Sequence, residues 1–237
     1  MEEQVTRLVS QAWERYQKAP EDHRFMIAIA GIPGSGKTTL SQRVTDQLNA
    51  LHQASHPGSD PIAIFVPMDG YHYTRAILDQ MPDPVKAHAR RGAEFTFDGE
   101  SYLKLIQALR VPLDRATTQS IYAPSFDHAV KDPVDNDIEI KPEHRIVVFE
   151  GNYVCLDRKP WSEAAALMDL RWFVEVDRTV ARERLAARHV KAGIVDTLAG
   201  GYERADTNDL PNGDEINALK IGNMDGTVVS KEDQGWA

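Results

Sequence analysis

Eight consecutive residues, Gly31-Ile-Pro-Gly-Ser-Gly-Lys-Thr38, place three glycines, a lysine and a threonine at the spacing G-x-x-x-x-G-K-T. Glycines there let the backbone wrap a phosphate closely, and amides at the start of a following helix add positive potential. Lys37 can bridge β- and γ-phosphates, and the Thr38 hydroxyl can ligate Mg²⁺. The chemistry indicated is nucleotide phosphate binding by Gly31, Pro33, Gly34, Ser35, Gly36, Lys37, Thr38 and Thr39. Such a loop does not by itself separate a kinase from a switch or a motor. A guanine-type N-K-x-D signature is missing, since Asn208-Asp209 lacks the lysine, and a large motor needs more chain.

Two acids follow apolar runs. Asp69 comes after Ile62–Val66, and Glu150 directly follows Ile146–Phe149. In a parallel sheet the C-terminal strand ends face the ligand crevice, so both carboxylates are expected at the loop end. One can bind Mg²⁺ through water and the other can accept a proton from an attacking hydroxyl. Either alone could merely cap a loop. Arg184 and Arg188 lie four residues apart on a predicted helix, with Lys191 beyond. Like charges at that spacing repel, so the pair needs an anionic ligand or acids such as Glu183 or Asp177.

The elements that must position these groups are legible from periodicity. Val5, Leu8, Val9, Ala12, Trp13 and Tyr16 predict an amphipathic helix over residues 1–18 that docks on the main body. Phe25–Ala30, Ile62–Val66, Ile146–Phe149 and Trp172–Val176 read as buried strands, with Val228-Val229 as a last one. Helices are expected over 37–51, 101–110, 162–168 and 179–191. Residues 52–61 and 76–92 read as irregular, and Asp114–Pro142 as a polar excursion with a short strand at Ile121-Tyr122. After Gly193 the signal weakens, and the last seven residues look frayed. Apolar strands alternating with helices predict an α/β fold: a parallel sheet with helices on both faces.

The 237 residues suit one domain, and 42% hydrophobic content supports an ordinary core. A net charge of -9 argues against a nucleic-acid partner. A single cysteine, Cys155, makes neither an internal disulfide nor a cysteine zinc site, and reads as a small buried hydrophobe. The N-terminus lacks a secretory pattern, and no apolar run approaches the roughly 18 residues of a membrane span. The expectation is a cytoplasmic protein without a membrane partner; oligomeric state is left open.

The chain resembles the uridine kinase, phosphoribulokinase and pantothenate kinase group of P-loop kinases. The resemblance rests on Gly31–Thr38, Asp69-Gly-Tyr-His72, Arg91-Gly-Ala-Glu-Phe-Thr-Phe-Asp98, Tyr122-Ala-Pro-Ser-Phe-Asp-His128, Glu150-Gly-Asn-Tyr153 and Arg184-Leu-Ala-Ala-Arg188. These keep family order across residues 25–195, and Thr207-Asn-Asp-Leu-Pro-Asn212 resembles an uncharacterised uridine-kinase-like branch. The resemblance implies ATP and Mg²⁺ as cofactors and Asp69 as general base, with Glu150 beside Thr38 at the metal. It implies an acceptor pocket of Tyr71, His72, Arg91, Tyr122 and His128 within residues 70–142. It also implies a lid over 178–195 that brings Arg184 and Arg188 onto the phosphates. The acceptor would be a nucleoside, a sugar or a pantothenate-like alcohol. Uridine kinases usually carry Asp-Ser-Phe-Tyr where this chain has Asp69-Gly-Tyr-His72, and aspartate in place of His189, so no single acceptor carries over. The other class in play is a nucleotide-binding regulatory protein without an acceptor.

Overall fold

The computed structural model describes residues 1–114 and 117–231. In chain order the elements are α1 (Glu2–Tyr16), β1 (Phe25–Gly31), α2 (Lys37–Ser55), β2 (Ala63–Pro67), α3 (Arg75–Leu78), α4 (Pro84–Ala89) and α5 (Gly99–Leu109). There follow β3 (Ile121–Asp127), β4 (Asp132–Ile140), β5 (Ile146–Gly151), α6 (Trp161–Ala166), β6 (Leu170–Glu175), α7 (Arg178–Lys191), α8 (Leu198–Arg204), α9 (Leu210–Leu219) and β7 (Gly226–Val229). One turn of π-helix, Ala205–Asp209, joins α8 to α9.

Five strands form a parallel sheet in the order β2-β5-β1-β6-β7. β1 and β5 are buried along their whole length because both sheet faces are covered. Alternate residues serve different cores. Ile27, Ile29, Val148, Trp172 and Val174 pack with α1 and α2, while Met26, Ala28, Val147, Phe149 and Phe173 face the cluster containing Tyr102 and Trp161. The register sets Pro67 beside Glu150 and Ala30 beside Gly151, so three strand ends meet at one edge.

The N-terminal helix docks on the body as its pattern predicts, burying Val5, Leu8, Val9 and Ala12. It also secures the edge strand β7. The Gln4 side chain donates to Val229 O at 3.1 Å and accepts from Val229 N–H at 3.0 Å, a backbone-like pair formed by one amide.

Several regions differ from expectation. α2 continues to Ser55, and α3 and α4 take up much of the 76–92 segment read as irregular, each of the two short helices started by a capping side chain, Thr74 or Asp83. The Ile121-Tyr122 strand is a full antiparallel hairpin of β3 and β4, with an irregularity between Ala123 and Ser125. β4 is polar and largely exposed, so it lacks the apolar run that announces a core strand. Residues 196–219, where the signal weakens, are mostly helical. The frayed end falls, apart from Lys231, outside the described residues. Among the described residues no helix is long and apolar enough to cross a membrane.

Leu8 is 1% exposed and packs into the α1/α2 core. Leu8→Ala is therefore expected to cost about 2–5 kcal/mol, measured by urea unfolding. Cys155 is buried, and burial pushes its thiol up to about 12. It should resist a disulfide reagent in the native protein and react within mixing time once the chain is unfolded in guanidinium.

Candidate active site

The loop after β1 has a shape only glycine supports. Gly34 and Gly36 lie at φ 81° and 83°, in the left-handed region. A Cβ at Gly34 would also fall 2.9 Å from Ala181 O, so α7 rests directly on the loop backbone. Gly36 precedes α2, whose first amides have no intrahelical acceptor and face the loop. Gly34, Gly36, Lys37, Thr38 and Thr39 line a cavity of about 210 Å³, closed on the other side by Arg184, Leu185 and Arg188. Gly31, Pro33 and Ser35 shape the loop from behind; the Ser35 hydroxyl is buried without a partner.

Lys37 opens α2 and is buried, its Nζ 3.8 Å from Glu150 Oε1 and 3.5 Å from Ile32 O. Burial pushes the ammonium below its ordinary range against the attraction of Glu150 and Asp69. Burial raises Glu150 to about 7, opposed by Lys37, while Asp69 raises it further and a Thr38 hydrogen bond lowers it. Burial thus works against the charged form of both groups, as expected for an ion pair removed from solvent. Added phosphate oxygens would favour the charged lysine.

The set Thr38 hydroxyl plus Glu150 carboxylate offers hard oxygen donors, which fit Mg²⁺. Among the described residues no three His, Cys, Asp or Glu side chains are grouped to hold a metal. That is compatible with Mg²⁺, which is usually held by one or two side chains together with substrate phosphates.

Asp69 lies in a single 3₁₀ turn, Met68–Tyr71, immediately after β2. Gly70 is required beside it, because a Cβ there would sit 2.1 Å from Pro124 O of β3. The turn continues to His72, whose Nδ1 is 2.9 Å from the Asp69 carbonyl. A carbonyl only accepts, so Nδ1 carries the hydrogen and the neutral ring keeps Nε2 as an acceptor. The ring packs on Phe97 and Phe126, at centroid distances of 3.9 and 4.8 Å, and burial lowers its pKa.

The other expected pocket residues separate. Arg91 is already engaged: it donates to Asp132 at 2.7 Å, to Tyr73 O at 2.9 Å and to Lys131 O, and lies over Phe126. Tyr71 is in the core, edge-on to Tyr102, and burial raises its pKa. Tyr122 is half-exposed with its hydroxyl 3.5 Å from Glu139, and lines a second cavity of about 590 Å³ with Tyr71 and His72 but without Asp69. His128, exposed, approaches Phe126 from beyond the other end of β3. About 20 Å of extended chain separates the backbone positions of Tyr122 and His128 along β3.

α7 divides its arginines between two tasks. Arg178 pairs with Asp214 and Arg182 with Asp206, joining α7 to the π-turn and α9. Arg184 instead donates to Gly34 O at 3.3 Å and Ser230 Oγ at 2.8 Å, and Arg188 lines the loop cavity. Asp177 caps its own helix through Thr179 and Val180 amides, so it is not the acid that neutralises Arg184 or Arg188.

Several further polar residues lie in or beside the quoted motifs but are given no role by them. His189 is buried with Nε2 2.7 Å from Asp209 of the π-turn, and Asp209 lies close enough to raise the Lys37 pKa. Asn208 and Asn212 are buried, and Asn152 has a buried Oδ1 without a partner. The available signal is the asparagine-rich 207–212 segment inside a helical stretch, since such side chains compete with the helical backbone.

The phosphoribulokinase / uridine kinase family model matches residues 26–192. An ATP-dependent kinase-like protein of Aspergillus versicolor, notR', is 53% identical over 66% of this chain and 92% of its own. A Schizosaccharomyces pombe protein with a provisional uridine kinase name is 41% identical over 86% of this chain and 84% of its own. A Silicibacter sp. TM1040 crystal structure, provisionally titled a fructose transport system kinase, superposes with a TM-score of 0.79 at 30% identity, covering 94% of this chain and 98% of that one. With its phosphate loop, two strand-end carboxylates and arginine-bearing α7, the chain belongs to the phosphoribulokinase / uridine kinase family of P-loop kinases.

Proposed function

We propose that the protein transfers the γ-phosphoryl group of ATP, with Mg²⁺, to a hydroxyl of a small metabolite. One observation carries this reading: Asp69 stands within electrostatic range of both Lys37 and Glu150, at the edge where α2 begins. A protein that only senses nucleotide has no need of a second carboxylate there.

Lys37 and the first amides of α2 hold the phosphates, and Arg184 and Arg188 bring positive charge from the α7 side. Thr38 and Glu150 would hold Mg²⁺, which would supply positive charge to the phosphates. Asp69 orients the acceptor hydroxyl and takes its proton as the new O–P bond forms and the bond to the ADP oxygen breaks. Most of the catalysis is positioning and charge compensation, so Asp69 needs no unusual basicity. His72 supports the turn that carries Asp69. Names of relatives suggest uridine or a sugar as acceptor.

The test is a mass-spectrometric screen with ATP, Mg²⁺ and pooled nucleosides, sugars, vitamins and hydroxy acids. A gain of one phosphoryl group on one compound is expected. Asp69→Asn should then lower turnover by about 10²–10⁴-fold with little change in nucleotide affinity; undiminished turnover removes Asp69 as the base. Lys37→Ala should weaken ATP binding by about tenfold or more in calorimetry, the worth of a charge-assisted hydrogen bond. Tight ATP binding with no product from any pool would favour the regulatory reading.

A further inference from the structure

Arg184 meets neutral acceptors and no acid among the described residues. Its Nη1 donates to Gly34 O at 3.3 Å and to Ser230 Oγ at 2.8 Å, and its Nη2 donates to Lys231 O at 3.3 Å. A guanidinium carries five N–H donors in one rigid plane. Nε–H and one Nη2–H therefore keep no acceptor among the described residues. The group is held in place with its charge uncompensated, on the wall of the cavity that Lys37 and Thr38 line. Arg182 shows the contrast on the same helix, since its charge is met by Asp206.

The shortest of the three bonds is the one to Ser230, and the surroundings fix that hydroxyl. Ser230 directly follows β7, and its N–H donates to Glu175 O at 2.7 Å. This adds a rung to the β6–β7 ladder just past the pair Glu175 and Val229. One residue back, the Gln4 amide of α1 holds both Val229 O and Val229 N–H. Val228, before it, is fully buried. A Cβ on Gly36 would lie 3.8 Å from Ser230 Oγ, so the hydroxyl rests against the glycine that precedes α2. Serine has one side-chain torsion, and a fixed backbone leaves its Oγ few positions. Arginine has several torsions to order before it can meet a phosphate, and a partner already in place reduces that cost when the ligand arrives.

We propose that Ser230 is a positioning residue of the nucleotide site: its hydroxyl sets Arg184 for the β- and γ-phosphates, and Gln4 supports it by pinning Val229. This rests on the part of the kinase reading in which the loop and α7 bind nucleotide phosphates, and it holds for any acceptor. An arginine aimed beforehand meets the phosphates without reorganising. A contact between the first helix and the last strand thereby enters phosphate recognition, although Gln4 is not among the residues lining the cavity.

The test is a double-mutant cycle read by calorimetry on the full chain. One probe is a non-hydrolysable ATP analogue with Mg²⁺, and the other is AMP. Arg184→Gln should weaken the analogue by about tenfold or more, and Ser230→Ala by about three- to tenfold, the worth of one hydrogen bond. Neither should change AMP affinity, because AMP lacks the phosphates that Arg184 is set to meet. Gln4→Ala should act in the same direction by less. In an Arg184→Gln background, Ser230→Ala and Gln4→Ala should add nothing, as befits residues that act through the arginine. Ser230→Thr keeps the hydroxyl and should restore most of the affinity. Melting temperatures check that each variant is folded.

Unchanged analogue affinity in Ser230→Ala overturns the proposal, as does a loss that persists in full without Arg184. An equal loss of both probes marks a merely structural residue and overturns it too. Tighter binding of the analogue would mean that the hydroxyl withholds the arginine, the opposite of what is proposed. In all these cases the kinase reading stands, to be decided by the acceptor screen. A wild-type chain that does not bind the analogue overturns both.

Discussion

Lys37 is a cation taken out of water at the start of a helix, facing a carboxylate that is also out of water. Desolvating both ions costs several kcal/mol each, and one 3.8 Å contact offsets that only in part. The rest of the protein is arranged to hold this unfavourable pair in place. Lys37 is aimed by α2 and the left-handed glycines, and Glu150 by β5, whose register with β1 and β2 is locked by apolar residues on both faces. Phosphate oxygens on the lysine side and a hard cation on the carboxylate side would each favour the charged form that burial opposes.

The same constraint explains the contact between α7 and the loop. With Ala181 O so close to Gly34, the helix cannot approach a loop that carries side chains there. The approach brings Arg184 onto the Gly34 carbonyl and onto Ser230, just past β7. Because α1 holds β7 through Gln4, a helix with no residue in the loop cavity still supports that cavity's wall. Arg178 and Arg182 meanwhile tie α7 to α9 and to the π-turn through exposed ion pairs.

Arg91 joins the 72–97 segment to the β3–β4 hairpin through Asp132. The neighbouring Arg90 turns the other way and donates to Asn212 Oδ1 of α9. A one-residue step along the chain thus sends one guanidinium to the β3–β4 hairpin and the next to α9.

Much of this was legible in the residues alone. The loop motif is contiguous, and the buried strands are continuous apolar runs, so both are local signals. The strand-end positions of Asp69 and Glu150 follow from parallel topology. Only the tertiary structure decided which pocket candidates lie together. Tyr122 and His128 belong to one motif, yet they sit at opposite ends of the strand β3. The hairpin carries polar, exposed residues whose pairing leaves no periodic trace. His189 meets Asp209 twenty residues on, and Asn208 meets Arg91 at a separation of 117. Apolar burial is written into local periodicity because every such residue wants the same environment. A polar group is satisfied by one particular partner, and the fold determines which one comes within reach.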